Sequence, residues 1–280
     1  TEQSDPLPET QPDGSPWPKI SIVTPSYNQG QFIEETIRSV LLQGYPNLEY
    51  IIMDGGSTDE SVEIIEKYDP WIDYWVSEPD RGQAHAINKG LKRASGEIHG
   101  WLNSDDLFVR DALGEVASMF IARECDALSG GRLLIDEDSN VTGWSIPFQY
   151  TDLEKGINPW AQDSTLWRDY VYNKVSYLDE SYKHAVDYDF FLRMSLHYDI
   201  IDVDCLVGCF RCHDESKTHL GGKTTGMEER KKSLTRNLSV RFEKTDRKSL
   251  RKKIKHWKLF ISYPKKLCLP YLKHKVGIEK

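Results

Sequence analysis

Residues 20–54, ISIVTPSYNQGQFIEETIRSVLLQGYPNLEYIIMD, change their hydrophobic period twice. Ile20 to Val23 is an apolar run of strand character, after which Phe32, Ile33, Thr36, Ile37, Val40 and Leu41 recur at helical spacing. A second apolar run extends from Leu48 to Met53. Strand, helix and strand in that order predict two neighbouring strands joined by a crossover. The alternation continues with a predicted helix from Glu60 to Tyr68, a strand near Tyr74 to Ser77, a helix carrying Ala84, Ile87, Leu91 and Ala94, and a strand from Glu97 to Leu102. Crossovers of this length are right-handed and cover both faces of a mostly parallel sheet, which predicts an α/β fold, a three-layer α/β/α sandwich. Ligands of such sheets lie at the carboxyl ends of the strands.

With 280 residues and 39% hydrophobic content, the chain can bury one large core and an appendage. Its apolar runs fall short of the ~20 residues that cross a bilayer, and the amino terminus lacks a basic-then-apolar signal, so the expectation is a cytoplasmic protein. Five cysteines at irregular spacing do not form a disulfide framework. The net charge of −8 is unevenly spread: from Lys223 onward there are 19 Lys and Arg against 5 Asp and Glu. The acidic remainder argues against nucleic acid as a partner, and the basic end suits an anionic surface or solvent. Pro6, Pro8, Pro12, Pro16 and Pro18 disfavour helix and predict that residues 1–18 form a flexible linker.

The loops at the predicted strand ends are polar. Thr24-Pro25-Ser26-Tyr27-Asn28-Gln29-Gly30 follows the first strand and Asp54-Gly55-Gly56-Ser57-Thr58-Asp59 the second. Two glycines let a backbone approach a planar or anionic ligand, and an Asp at a strand end can accept from a base or ribose; Ser57 or Thr58 could equally be a plain helix cap. The third loop reads Glu78-Pro79-Asp80-Arg81-Gly82-Gln83-Ala84-His85 and the fourth Asn103-Ser104-Asp105-Asp106. Paired carboxylates are hard ligands suited to Mg²⁺ or Mn²⁺ on a diphosphate, although an isolated Asp-Asp before a helix also serves as cap and dipole partner.

All four motifs in this order resemble the inverting family 2 glycosyltransferases of the GT-A, Rossmann-like fold, closely over residues 20–110 and more loosely to about 220. The looser part runs through Gln162 to Trp167, Ala185 to Asp189 with Leu192-Arg193, and Phe210 to His213 with Ser216-Lys217-Thr218. The resemblance implies a nucleotide-binding half over 19–107, an acceptor-binding half over 108–220, and beyond them a basic, largely helical tail over 221–280. It implies that Pro25, Ser26, Tyr27, Asn28 and Asp54 hold the nucleoside, with Asp54 on the base and Arg81 beside base or diphosphate. Gly55, Ser57, Gln83, Asn103 and Ser104 complete the nucleotide-sugar contacts. Asp105 and Asp106 would bind Mn²⁺ or Mg²⁺ with His213, and Asp187 would be the catalytic base, with Asp189 as competitor. Many members carry Asp where Asn103 stands and Glu where Val186 stands. The implied activity is transfer from a nucleotide diphosphate-sugar to a hydroxyl of a glycan or lipid-linked glycan, as in cell-surface polysaccharide synthesis.

Two other functions share parts of this pattern. A non-catalytic nucleotide-sugar or glycan-binding relative would fit Asn103 and Val186. A nucleotidyltransferase would carry a Gly-rich, Arg- and Lys-bearing loop after the first strand, where Pro-Ser-Tyr-Asn stands. Cys209-Phe210-Arg211-Cys212-His213 also fits haem attachment or, with Cys205, zinc, but Cys205 and Cys209 read as small buried strand residues. His85 and His99 read as helix-surface and strand residues. Trp144, Phe148, Tyr150 and Trp160 could stack on sugar rings or fill core. In the tail, Leu250, Ile254, Trp257 and Ile261 form a helical stripe among lysines and arginines, suited either to an anionic membrane surface or to packing on protein.

Overall fold

The computed structural model describes residues 4–145, 158–214, 216 and 222–242. The first half runs β1 (Ile20–Ser26), α1 (Gly30–Leu41), β2 (Leu48–Asp54), α2 (Ser61–Lys67), β3 (Tyr74–Ser77), α3 (Gln83–Arg93) and β4 (Ile98–Trp101). The second half runs β5 (Leu107–Phe108), α4 (Ala112–Arg123), β6 (Ala127–Ile135), β7 (Val141–Ser145), β8 (Thr165–Arg168), α5 (Val186–Ser195), β9 (Ile200–Arg211) and α6 (Gly222–Phe242). The strands form one sheet in the order β3-β2-β1-β4-β8-β6-β9-β5, with β7 also paired to β6. β3, β2, β1 and β4 are parallel, as the alternation of strand and helix predicts. Past β4 the sheet is mixed: β8 runs antiparallel to β4 and β6, while β6 and β9 run parallel.

The period of two in the strands sorts their side chains onto two faces. Ile20, Ile22, Tyr50, Ile52 and Leu128 face a core shared with Ile33, Ile37 and Val40 of α1, Ile65 of α2 and Leu113 and Val116 of α4. Val23, Ile51, Met53 and Trp101 face the other core, with Ile87 and Leu91 of α3 and Phe190 and Phe191 of α5. The result is the three-layer sandwich. α3 lies so close to β1 that a Cβ on Gly90 would stand 2.4 Å from Val23 Cγ1, which only a glycine tolerates without displacement. On the α5 face the ring of Trp101 stacks on Phe191 at 5.8 Å and meets Trp167 edge-on at 5.4 Å.

Residues 4–18 depart from the flexible linker that their prolines predict. Ser4 N donates to Leu42 O (2.9 Å) and Leu7 N to Gly44 O (3.0 Å), while Trp17 and Leu7 join the core under α1 and α4. Proline forbids helix but not an extended strap, and two apolar side chains suffice to hold this one down. Cys205 and Cys209 are buried in β9, and His99 is buried in β4. Trp160 is core, whereas Trp144 is exposed. Phe148, Tyr150 and the basic stripe from Leu250 lie outside the described residues. Among the described residues no helix is long and apolar enough to cross a membrane.

Candidate active site

The ends of β1 and β2 are stapled to each other. Asp54 is 1% exposed. Its Oδ2 accepts from Gly56 N (3.0 Å), Ser57 N (2.8 Å) and Ser77 Oγ (2.6 Å), and its Oδ1 from Ser57 Oγ (2.5 Å). Asn28 takes the left-handed φ of 50° and donates its N–H to Ser57 Oγ, while Thr58 N donates to Asn28 Oδ1. Gln29 N and Gly30 N donate to Ser61 Oγ and Asp59 Oδ2, so the next crossover satisfies donors where α1 begins. Pro25 and Ser26 are buried beneath this knot. Tyr27 stands above it, 62% exposed. A Cβ on Gly55 would lie 3.3 Å from Tyr27 Cδ2 and 2.8 Å from Asp80 Oδ2, so Gly55 floors a slot between an aromatic ring and a carboxylate.

At the end of β4 a ladder of amides crosses the sheet. Gln83 Nε2 donates to Asn103 Oδ1 (2.7 Å), and Asn103 Nδ2 donates to Gln162 Oε1 (2.8 Å) and Asp106 Oδ2 (3.1 Å). A carboxylate at position 103 could not donate to Asp106 and Gln162, which gives the departure to asparagine a physical reason. Ser104 is buried beside it. Asp106, expected beside Asp105 as a metal ligand, instead points into the protein at 1% exposure and accepts from Arg211 N (3.0 Å) as well as Asn103. Burial, reinforced by the charges of Asp105 and Asp163, pushes its carboxyl well above the usual range.

Asp105 keeps a side chain 23% exposed, and its Oδ2 stands 3.1 Å from Nε2 of His213, whose ring packs on Phe32 at 4.8 Å. The backbone of Asp105 is held by Arg211, whose side chain is fully buried. Its Nε donates to Asp105 O (2.9 Å), Nη1 to Asp136 O, Glu137 O and Ser139 Oγ, and Nη2 to Glu35 Oε2 (2.6 Å). Among the described residues no group of three or more His, Cys, Asp and Glu could hold a metal ion. One carboxylate and one imidazole still fit Mg²⁺ or Mn²⁺, which take much of their coordination from substrate phosphates and water.

α5 supplies the other candidate carboxylate. Asp187, its second residue, is half-buried, and Asn158 Nδ2 donates to its Oδ2 (3.0 Å). Asp189 is buried and spent on structure, accepting from Arg193 Nε (2.8 Å) and Ser233 Oγ (2.6 Å). Arg132 of β6 feels both regions: its Nη1 donates to Asp163 Oδ1 (3.2 Å), and although burial opposes its charge, Asp163, Asp106 and Asp187 together hold it protonated. Burial pushes the Asp163 carboxyl up, against the pull of Arg132. Arg81 is exposed and paired with Glu180 Oε2 (2.7 Å). Sequence reasoning missed Arg132 and Asn158. A charge inside the apolar run of β6 was a signal for the first; the second offered none.

The family "Glycosyl transferase family 2" matches residues 21–201. A protein of Bacillus subtilis named for teichuronic acid biosynthesis, the glycosyltransferase TuaG, is 38% identical over 161 residues, which cover 56% of this chain and 59% of TuaG. The chain therefore spans about three fifths of that relative's length. Staphylococcus aureus TarS 1-349 in complex with UDP-GlcNAc superposes with a TM-score of 0.60 at 21% identity, over 72% of this chain and 61% of that one. Mannosyltransferase PcManGT from Pyrobaculum calidifontis, in complex with GDP-Man and Mn²⁺, gives 0.62 at 18% identity over 93% and 74%. At such identities the two structures speak to the fold, which is the GT-A arrangement.

Proposed function

We propose, from the premise that the chain belongs to glycosyl transferase family 2, that it transfers a sugar with inversion from a nucleoside diphosphate donor to a glycan or lipid-linked glycan hydroxyl. The observation that carries this is the convergence on the buried Arg132 of Asp187 and of Asp106, the residue next to Asp105. Asp105 lies beside His213, and Asp187 lies on a helix N-terminus held by Asn158. The slot of Tyr27, Gly55 and Asp80 takes the base, over the layer of Pro25, Ser26, Asn28, Asp54 and Ser57. Gln83, Asn103 and Ser104 line the way from there to Asp105, with Arg81 at the outer side. Asp187 accepts the acceptor's hydroxyl proton as that oxygen bonds to the anomeric carbon and the bond from this carbon to the diphosphate oxygen breaks. A single displacement inverts the configuration. A divalent ion, Mn²⁺ or Mg²⁺, held by Asp105 and His213 would offset the charge of the departing diphosphate.

The donor class draws support from the nucleotide-sugars named for TarS and PcManGT, and a role in cell-surface polysaccharide synthesis from the name of TuaG. On this reading the enzyme works at the cytoplasmic face of a membrane, where an anionic surface would meet the basic tail read in the sequence. A thermal-shift panel of UDP-Glc, UDP-GlcNAc and GDP-Man with and without Mn²⁺ tests the donor reading. A ligand at ~100 times its dissociation constant stabilises by about 2.7 kcal/mol. Failure of all three to stabilise in Mn²⁺ contradicts it, and binding without release of nucleoside diphosphate would mark a binding-only relative.

A further inference from the structure

The helix α6 lies beyond the residues that the family match covers, yet it grips the start of α5. Glu229 of α6 receives three consecutive backbone donors immediately ahead of that helix: Lys183 N (3.1 Å to Oε1), His184 N (2.8 Å to Oε2) and Ala185 N (2.9 Å to Oε2). Burial alone would raise the Glu229 carboxyl, but these three N–H groups outweigh it and hold it below the usual range. The grip continues along the same face. Ser233 Oγ donates to Asp189 Oδ1 (2.6 Å), Arg236 Nη1 to Asp179 Oδ2 (2.7 Å), and Leu234 packs on Ala185, Tyr188 and Leu192. A Cβ on Gly226 would already touch His184 Cβ at 3.4 Å, so the helix backbone lies directly against the chain it holds.

We propose that Glu229 is the positioning residue for Asp187, an inference that rests on Asp187 being the general base. Asp187 follows the last Glu229-bound amide by two residues, within the first turn of α5. Among the described residues its side chain accepts one hydrogen bond, from Asn158, and lies in the field of Arg132. The direction of its carboxylate therefore depends on where the helix begins, and that point is set by the three bonds to Glu229. Ordinary capping comes from a residue next to the helix in sequence. Here the capping carboxylate comes from a separate helix, so α6 is part of the catalytic unit and the acceptor half extends beyond residue 220.

The test uses the full chain with Glu229→Ala and Glu229→Gln. Amide hydrogen exchange in E229A is expected to be at least ~10-fold faster over residues 183–187, with β1 and β2 still protected. Nucleoside diphosphate release from UDP-Glc, UDP-GlcNAc or GDP-Man in Mn²⁺ should show kcat reduced at least ~10-fold with the donor KM within about twofold, as a misplaced base requires. E229Q, which keeps one carbonyl acceptor, should fall between, and it decides the matter if E229A loses protection in the sheet. Unchanged exchange over 183–187, or faster exchange with full kcat, overturns the proposal. Asp187→Asn at wild-type turnover removes the base itself, a failure distinguishable from an inactive D187N beside a fully active E229A.

Discussion

His213 Nε2 and Asp105 Oδ2 stand 3.1 Å apart although 108 residues separate them along the chain. The strand β9 delivers the histidine and Arg211, two residues earlier, ties down the Asp105 backbone, so the pair is fixed before any ligand arrives. Asp105→Ala is expected to abolish Mn²⁺-dependent binding of UDP or GDP, and His213→Ala to weaken it at least ~10-fold, each having lost a ligand. Calorimetric titration with and without Mn²⁺ checks this. Wild-type affinity in D105A would remove the pair from the metal site.

Arg211 is expected to matter for stability more than any surface charge. It is fully buried and spends its guanidinium on three backbone carbonyls, Ser139 and Glu35. Arg211→Ala should cost about 3 kcal/mol, because buried acceptors are left without donors. Arg211→Lys should recover little, since an ammonium cannot reproduce the planar fork. Urea unfolding gives the comparison, and R211K at wild-type stability would show that the fork is dispensable.

The two candidate carboxylates of α5 should separate cleanly. Asp189→Asn breaks a buried ion pair with Arg193 and weakens the acceptor of Ser233, for an expected loss of about 2–4 kcal/mol. Asp187→Asn touches Asn158 and should stay within about 1 kcal/mol of wild type. Thermal melts decide, and a D187N protein less stable than D189N would exchange the roles.

Asp202 in β9 gives the stability a pH dependence. Burial pushes its carboxyl up to about 7, and its Oδ1 is buried without a hydrogen-bond partner among the described residues. A group that binds its proton more tightly when folded favours the fold while protonated, so its contribution is lost as pH rises from about 4 to about 7. Relative to wild type, Asp202→Asn should gain stability over that window, with a ceiling of about 4 kcal/mol above pH 7 and no gain near pH 3. Denaturant midpoints at pH 4 and pH 8 check it; parallel pH profiles for the two proteins would contradict the assignment.

The parallel half of the sheet was legible because its signal is local. Ile20 to Val23 and Leu48 to Met53 alternate faces, and Phe32 to Leu41 repeats at helical period, so element type follows from periodicity. The mixed half was not, because the pairing of β6 with β8 and β9 joins residues far apart in sequence, and no period records which strand meets which. At the site, the motif loops marked Asp105 and Asp106 alike; Asp105 stays partly exposed beside His213, whereas Asp106 turns inward to meet Arg211, a partner 105 residues away. The strap of residues 4–18 was not legible for the same reason: composition shows the prolines, and the docking of Trp17 is tertiary.

The turnover of Asp187→Asn tests most directly whether Asp187 is the general base. With UDP-Glc, UDP-GlcNAc or GDP-Man in Mn²⁺, the wild-type chain is expected to release nucleoside diphosphate. D187N should bind the same donor with the same affinity and release it at least ~10²-fold more slowly, the usual contribution of a general base. Wild-type turnover in a folded D187N protein would contradict the central claim.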